Sequence, residues 1–166
     1  MPFVLVRIDD RLIHGQVIMG WGHALNPDRI ILYNDEIARN PWERELCECS
    51  YTDSDVKVCV CSLEQFLQYL QSEEFTKEKI ILLVESPKDL LRLLDCGVQI
   101  STVNVGGMHF REGKVKLNSY IYVDAEDVEI FHQISKRGVK IEGQDVPTAK
   151  KVDVISMIRK MAIFEK

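Results

Sequence analysis

The 166-residue sequence predicts an α/β protein: a mostly parallel, doubly wound sheet flanked by helices on both faces, with a C-terminal β-hairpin and amphipathic helix. Three observations carry this expectation. Short runs rich in Val and Ile recur at PFVLVRI (2–8), RIILYN (29–34), VKVCVC (56–61) and KIILLVE (79–85), with helical patterns between them. The runs are nearly continuous in apolar residues, as strands covered on both faces require, rather than alternating. Helix-start signals fall between the runs, where crossovers need them.

Taken in chain order, the first strand ends in DDRLIHG, and Gly15 opens a helical pattern with Val17, Ile18, Trp21 and Leu25 on its apolar side. Ser62 and Gln65 have the spacing of a capping box, and Ser86 with Pro87 supplies an N-cap and a first-turn proline for a helix ending at Gly97. After TVNVGG (102–107) the rhythm changes: FREGKVKL carries Glu-Gly turn chemistry and YIYV follows at once, so a hairpin is expected there rather than a crossover. Asp124 is placed to cap a helix over 125–137 that stops at Gly138, and VKIEGQDV reads as a short strand. A final helix from about 148 to 163 has one apolar stripe of Val154, Ile155, Ile158, Met161 and Ala162. With no linker, repeat or low-complexity stretch, residues 1–166 read as a single domain.

Bulk properties narrow the function. A net charge of -5 and a pI near 5.4 supply no basic patch able to neutralise many phosphates, so nucleic acid is not an expected partner. The apolar start PFVLV is too short for a signal peptide core or a membrane span, and no other stretch reaches spanning length. Five cysteines, an odd count without a secretory signal, read as free thiols in a reducing cytosol. Any membrane role is expected to come through a partner.

In an open parallel sheet, ligands bind beyond the carboxyl ends of the strands. The end of the first strand concentrates Asp9, Asp10, Arg11 and His14 within six residues. A histidine at the start of a helix meets unpaired main-chain N–H groups, which disfavour imidazolium and would stabilise a phosphate attached there. Arg11 offers a guanidinium fork to phosphate oxygens, and Asp9 or Asp10 can accept a bond from the ring nitrogen that does not attack. The plain alternative is a charged crossover loop whose histidine caps a helix.

Other signals are weaker. Cys47 and Cys49 lie about 200° apart around a helix, whereas Cys59 and Cys61 share one face of a strand, a poor start for a tetrahedral site. No metal and no cofactor are expected, and these thiols, with Cys96, read as packing groups. Of the remaining histidines only His109 is near enough to the glycine pair to reach the site; His23 and His132 read as helix residues, and Trp21 as a core or interface anchor. Neither the Gly-rich phosphate loop ending in Lys-Ser/Thr nor the three-glycine dinucleotide fingerprint is present: Gly20 and Gly22 are followed by Leu25.

The string VRIDDRLIHGQV followed by Trp21, then RIILYNDEIA (29–38), then VNVGGM (103–108), resembles the enzyme IIB component of the mannose/fructose/sorbose family of the bacterial phosphoenolpyruvate-dependent sugar phosphotransferase system. KIILLVESPKDLLRLLDCGV, EGKVKL and AEDVEIFHQISKRGVKIEGQDVP are similar too, so the resemblance covers nearly the whole chain. It departs at ELCECSYTDSDVKVCVCS (45–62), where small residues with Pro or Gly would be usual and four cysteines stand instead.

The resemblance implies a phosphocarrier that takes a phosphoryl group from a phosphohistidine of a IIA component. It then gives the group to a sugar held by membrane IIC and IID components. His14 matches the phosphorylated residue. Arg11 and Asp10 fall in the same loop, with Asp9 and Gly15 flanking it, and Asn34, Asp35, Gly106 and Gly107 fall at neighbouring strand ends. The implied setting is the cytoplasm, with peripheral association to the transporter, and a homo-oligomer stays open. A non-catalytic module of the same fold, binding a partner or sugar phosphate without turnover, is the alternative from another class.

Overall fold

The computed structural model describes residues 2–49 and 56–161. They group into two compact units, one of Met1–Val6 with Arg11–Glu85, the other of Arg7–Asp10 with Ser86–Lys166. Strand β1 (Phe3–Asp9) contributes its first residues to the former and its last to the latter.

In the first unit, residues Gln16–Trp21 form a π-helical segment that runs into α1 (Gly22–Leu25). Then come β2 (Arg29–Tyr33), α2 (Asp35–Ala38), α3 (Pro41–Cys49), β3 (Lys57–Cys61), α4 (Leu63–Leu70), α5 (Glu73–Lys77) and β4 (Ile80–Val84). The order is β3-β2-β4, and β2 is parallel to both neighbours. Every residue of β4 is fully buried, which is why its sequence shows no alternation. Val17, Ile18 and Trp21 pack with Ile30, Leu32, Val58, Val60, Ile81 and Leu83. The expected regular helix after Gly15 is thus replaced over Gln16–Trp21 by the wider π turn, with Val17, Ile18 and Trp21 still in the core. Phe3, Phe66, Phe75 and Tyr69 stack in a chain of tilted and edge contacts 5.5–6.3 Å apart. The Ser62–Gln65 capping box is present.

Beside that aromatic chain, Glu78 binds Arg29 at 2.5 and 2.9 Å and accepts the Tyr69 hydroxyl at 2.7 Å, while Arg29 lies over the Tyr69 ring. The Arg29 hydrogen bonds, helped by Tyr69, hold the Glu78 carboxyl down at about 2.

The second unit contains α6 (Pro87–Asp95), β5 (Thr102–Gly107), β6 (Val115–Lys116), β7 (Tyr122–Val123), α7 (Ala125–Lys136), β8 (Lys140–Gly143), β9 (Val152–Asp153) and α8 (Val154–Met161). Here the order is β1-β5-β8-β9, parallel except for β9. Ser86 caps α6 with Pro87 in its first turn, Asp124 and Asp127 form a capping box on α7, and Gly97 and Gly138 end these helices at φ +87° and +85°. The architecture is mostly parallel α/β, as expected from the strand runs.

Three expectations need correction. The last helix starts at Val154, not near 148, because Val152 and Asp153 pair antiparallel with Gly143 and Glu142, and the Asp153 carboxylate then accepts the Ser156 N–H. Of its expected stripe, Ala162 lies outside the described residues, as does position 163. The hairpin does not turn at Glu112-Gly113, which forms a separate turn with Gly113 at φ +88°. Its chain reversal is 117–121, where Asn118 Oδ1 accepts the N–H groups of Tyr120 and Ile121. Cys96 and Cys49 are exposed rather than packed, since Cys96 follows α6 as its C-cap and Cys49 is the last residue of α3.

Candidate functional site

The last residues of β1 carry an ionic centre inside the second unit. Arg7 and Asp9 are fully buried and face each other at 3.3 Å. The guanidinium also donates to Asn104 Oδ1 at 2.5 Å and to the main-chain oxygens of Gln144 and Asp145, each at 2.9 Å. A buried cation survives only with such a set of acceptors. Room for it comes from Gly106: a β-carbon there would stand 1.9 Å from the Arg7 Cζ. Asp9 is therefore held by Arg7, and Gly106 makes room for that pair; sequence reasoning singled out both and missed Arg7. The signal was available, since an arginine inside the apolar run FVLVRI demands a buried partner.

Register shifts at this point. Ile8 faces Val105, but Asp9 faces Gly107. Asp10 follows, its N–H donating to Gly107 O at 3.0 Å. The Asp10 Oδ2 accepts the main-chain N–H of His109 at 2.7 Å, and Oδ1 meets the Nδ1 of the same residue. Asp10 is thus joined to Gly107 and to His109, a residue sequence reasoning ranked below the others.

In the first unit, the loop continues through Arg11, Leu12, Ile13 and His14. Leu12 has φ +64°, a left-handed conformation that costs a non-glycine residue about 1–2 kcal/mol. Leu12 and Ile13 are half-buried against the core that holds Val17 and Trp21, so their apolar contacts offset that strain. Arg11 and His14 are half-buried and Gly15 is exposed. The His14 carbonyl accepts the Ile18 N–H at 3.2 Å, which places the histidine at the mouth of the π-helical segment. Such segments recur where a local distortion serves a site.

Asn34 and Asp35, at the end of β2, have clear structural partners. Asn34 caps α2 through the Ile37 N–H and donates to Glu85 at 3.0 Å. Asp35 accepts the Tyr33 hydroxyl at 3.0 Å and the Leu63 N–H at 2.8 Å. Among the described residues no three His, Cys, Asp or Glu side chains converge as a metal site. Cys59 accepts from Arg29 at 3.1 Å, and burial pushes the Cys61 thiol up to about 11. A cleft of about 460 Å³ on α3, lined by Trp42, Glu45, Leu46 and Cys49, contains none of the candidate residues. No helix among the described residues is long and apolar enough to cross a membrane.

A family model described as the sorbose subfamily IIB component of the phosphotransferase system matches residues 3–166. The chain belongs to this IIB family. It is 35% identical to the sorbose-specific EIIB component of Klebsiella pneumoniae, over 99% of this chain and 100% of that protein. It is likewise 35% identical to the fructose-specific EIIB component of Bacillus subtilis strain 168, over 96% and 97% respectively. The mannose-specific EIIAB component of Escherichia coli K12 is 36% identical over 97% of this chain, which spans about half (50%) of that relative. The crystal structure of the IIBSor domain of the Klebsiella pneumoniae sorbose permease superposes with a TM-score of 0.89 at 35% identity, covering 96% of this chain and 98% of that one. The fold and the place in a sugar phosphotransferase system of the mannose/fructose/sorbose family follow directly. This IIB chain carries the family's match through both compact units.

Proposed function

We infer that this IIB component is a single functional domain that carries phosphate on His14, between a IIA donor and a sugar held by membrane IIC and IID components. The observation that carries the reading is the loop itself: a half-buried histidine at the mouth of a helical segment, behind a left-handed Leu12 and an Asp10 fixed by three hydrogen bonds. Holding a nucleophile in one place is what in-line phosphoryl transfer needs most.

In the first step a ring nitrogen of His14 attacks the phosphorus of the donor's phosphohistidine; the donor N–P bond breaks as the His14 N–P bond forms. In the second step the sugar hydroxyl attacks, the His14 N–P bond breaks, and the hydroxyl proton leaves to a base. Arg11 stabilises the equatorial oxygens with its planar fork. Asp10 fixes the loop, and Gly15 leaves open space beside the histidine, where a β-carbon would meet nothing within 4 Å. Gly107 holds the Asp10 amide; Asn34 and Asp35 shape a neighbouring strand end. The protein works in the cytoplasm and docks peripherally on its transporter.

The experiment is incorporation of labelled phosphate from a phosphorylated IIA component. An acid-labile, alkali-stable label that disappears in His14→Ala supports the reading. Label retained in His14→Ala but lost in His109→Ala moves the carrier to the other histidine. A folded wild-type protein that takes no label leaves a binding module without turnover.

A further inference from the structure

Asp10 is captured twice by one residue. Its Oδ2 accepts the His109 main-chain N–H at 2.7 Å and its Oδ1 faces His109 Nδ1. A carboxylate only accepts, so Nδ1 carries the proton and Nε2 is the ring's acceptor in the neutral form. The Asp10 side chain is 15% exposed and the His109 ring 57%. A carboxylate so far withdrawn from water needs donors, and His109 supplies two. The shift of register between Ile8 and Asp9 lies immediately before this clamp, and irregularities of that kind turn a strand end aside and re-aim the next side chain.

We propose that His109 is a positioning residue for phosphoryl transfer: by holding the Asp10 carboxylate with its ring and its amide, it fixes the point at which the His14 loop leaves β1. The role rests on the reading that His14 carries the phosphate. Any substitution at 109 other than proline keeps the main-chain bond and loses the ring bond unless the new side chain donates from the same place. Asparagine puts an amide N–H near the Nδ1 position; glutamine puts one near Nε2. The two amides therefore separate anchoring from ring chemistry.

The test uses the full chain with His109→Ala, His109→Asn and His109→Gln, in single-turnover transfer of labelled phosphate from a phosphorylated IIA component. His109→Ala and His109→Gln are expected to slow transfer by about tenfold to a hundredfold, the scale of a small misplacement of a reacting group, with the half-saturating donor concentration unchanged. His109→Asn should restore most of the rate. Imidazole nitrogen NMR should find the Nδ1–H form in the wild type, giving way to the Nε2–H form of free histidine in Asp10→Ala. A His109→Ala protein at the wild-type rate overturns the proposal, as does His109→Asn as slow as His109→Ala, or an Nε2–H ring in the wild type. An unlabelled wild type, or label kept by His14→Ala, is the distinct failure of the phosphocarrier reading and removes the positioning role with it.

Discussion

The guanidinium of Arg7 occupies the volume that any side chain on residue 106 would need: a β-carbon built on Gly106 falls 1.9 Å from its Cζ. Gly106→Ala must therefore move a buried cation off its acceptors. The expected loss is about 3–5 kcal/mol of unfolding free energy, the range for disrupting a buried charged pair. Urea denaturation of the variant measures it, and a midpoint within error of wild type would show that Arg7 relocates freely.

Arg11→Lys keeps the charge and loses the planar fork. The expected result is a folded protein with unchanged urea midpoint whose phosphoryl transfer is roughly a hundredfold to a thousandfold slower, the usual loss when one transition-state donor is removed. Rapid-quench measurement of transfer from the IIA donor decides it.

Glu78 should leave a mark on acid stability. Arg29 lowers its carboxyl from 4.5 to about 2 in the folded chain. A depressed folded value means that the contribution is complete above the unfolded value and is lost as pH falls from about 4.5 toward about 2. Urea midpoints measured across that window should fall more steeply for wild type than for Glu78→Gln; equal slopes would assign the acid limb to other groups.

The thiols should separate by reactivity. Cys49 and Cys96 are exposed, whereas burial raises Cys61 to about 11 and also raises Cys47. At neutral pH a disulfide reagent should modify Cys49 and Cys96 first and Cys61 much more slowly, because the thiolate is the reacting species. Mass mapping of partially labelled native protein reads the order.

Free sugar should be a poor acceptor. Phospho-protein mixed with hexoses or amino sugars is expected to form sugar phosphate rapidly only when membranes with cognate IIC and IID are added, since positioning of the hydroxyl is assigned to those partners. Rapid product without membranes would make the chain a sugar kinase-like enzyme by itself.

What could be read from the sequence was local. The Ser62, Ser86 and Asp124 caps, the glycine stops at 97 and 138 and the apolar strand runs each depend on residues a few positions apart, and each stands where it was expected. The His14 loop stood out as a candidate through its concentration of charge and its family-like string. The misses at the site are long-range. Arg7 finds its acceptors at 104, 144 and 145, and Asp10 finds His109. No windowed pattern contains such pairs. The late start of α8 lies closer in sequence, in the antiparallel pairing of Val152 and Asp153 with Gly143 and Glu142, which an apolar helical stripe does not reveal. The π turn at Gln16–Trp21 was invisible for another reason, because its buried positions also fit an ordinary helix.

The strand edges carry a consequence for association with other chains. On β3 the Val60 N–H donates to Glu48 at 3.1 Å, so a side chain from α3 occupies a group that a foreign strand would use. On the other unit, the antiparallel β9 is only two residues long, and Glu142 on its neighbour is bracketed by Lys140 at 2.9 Å and Lys151 at 3.6 Å. Short, charged or covered margins of this kind discourage strand-by-strand aggregation. The Val60–Glu48 hydrogen bond thus acts also as a control on colloidal behaviour.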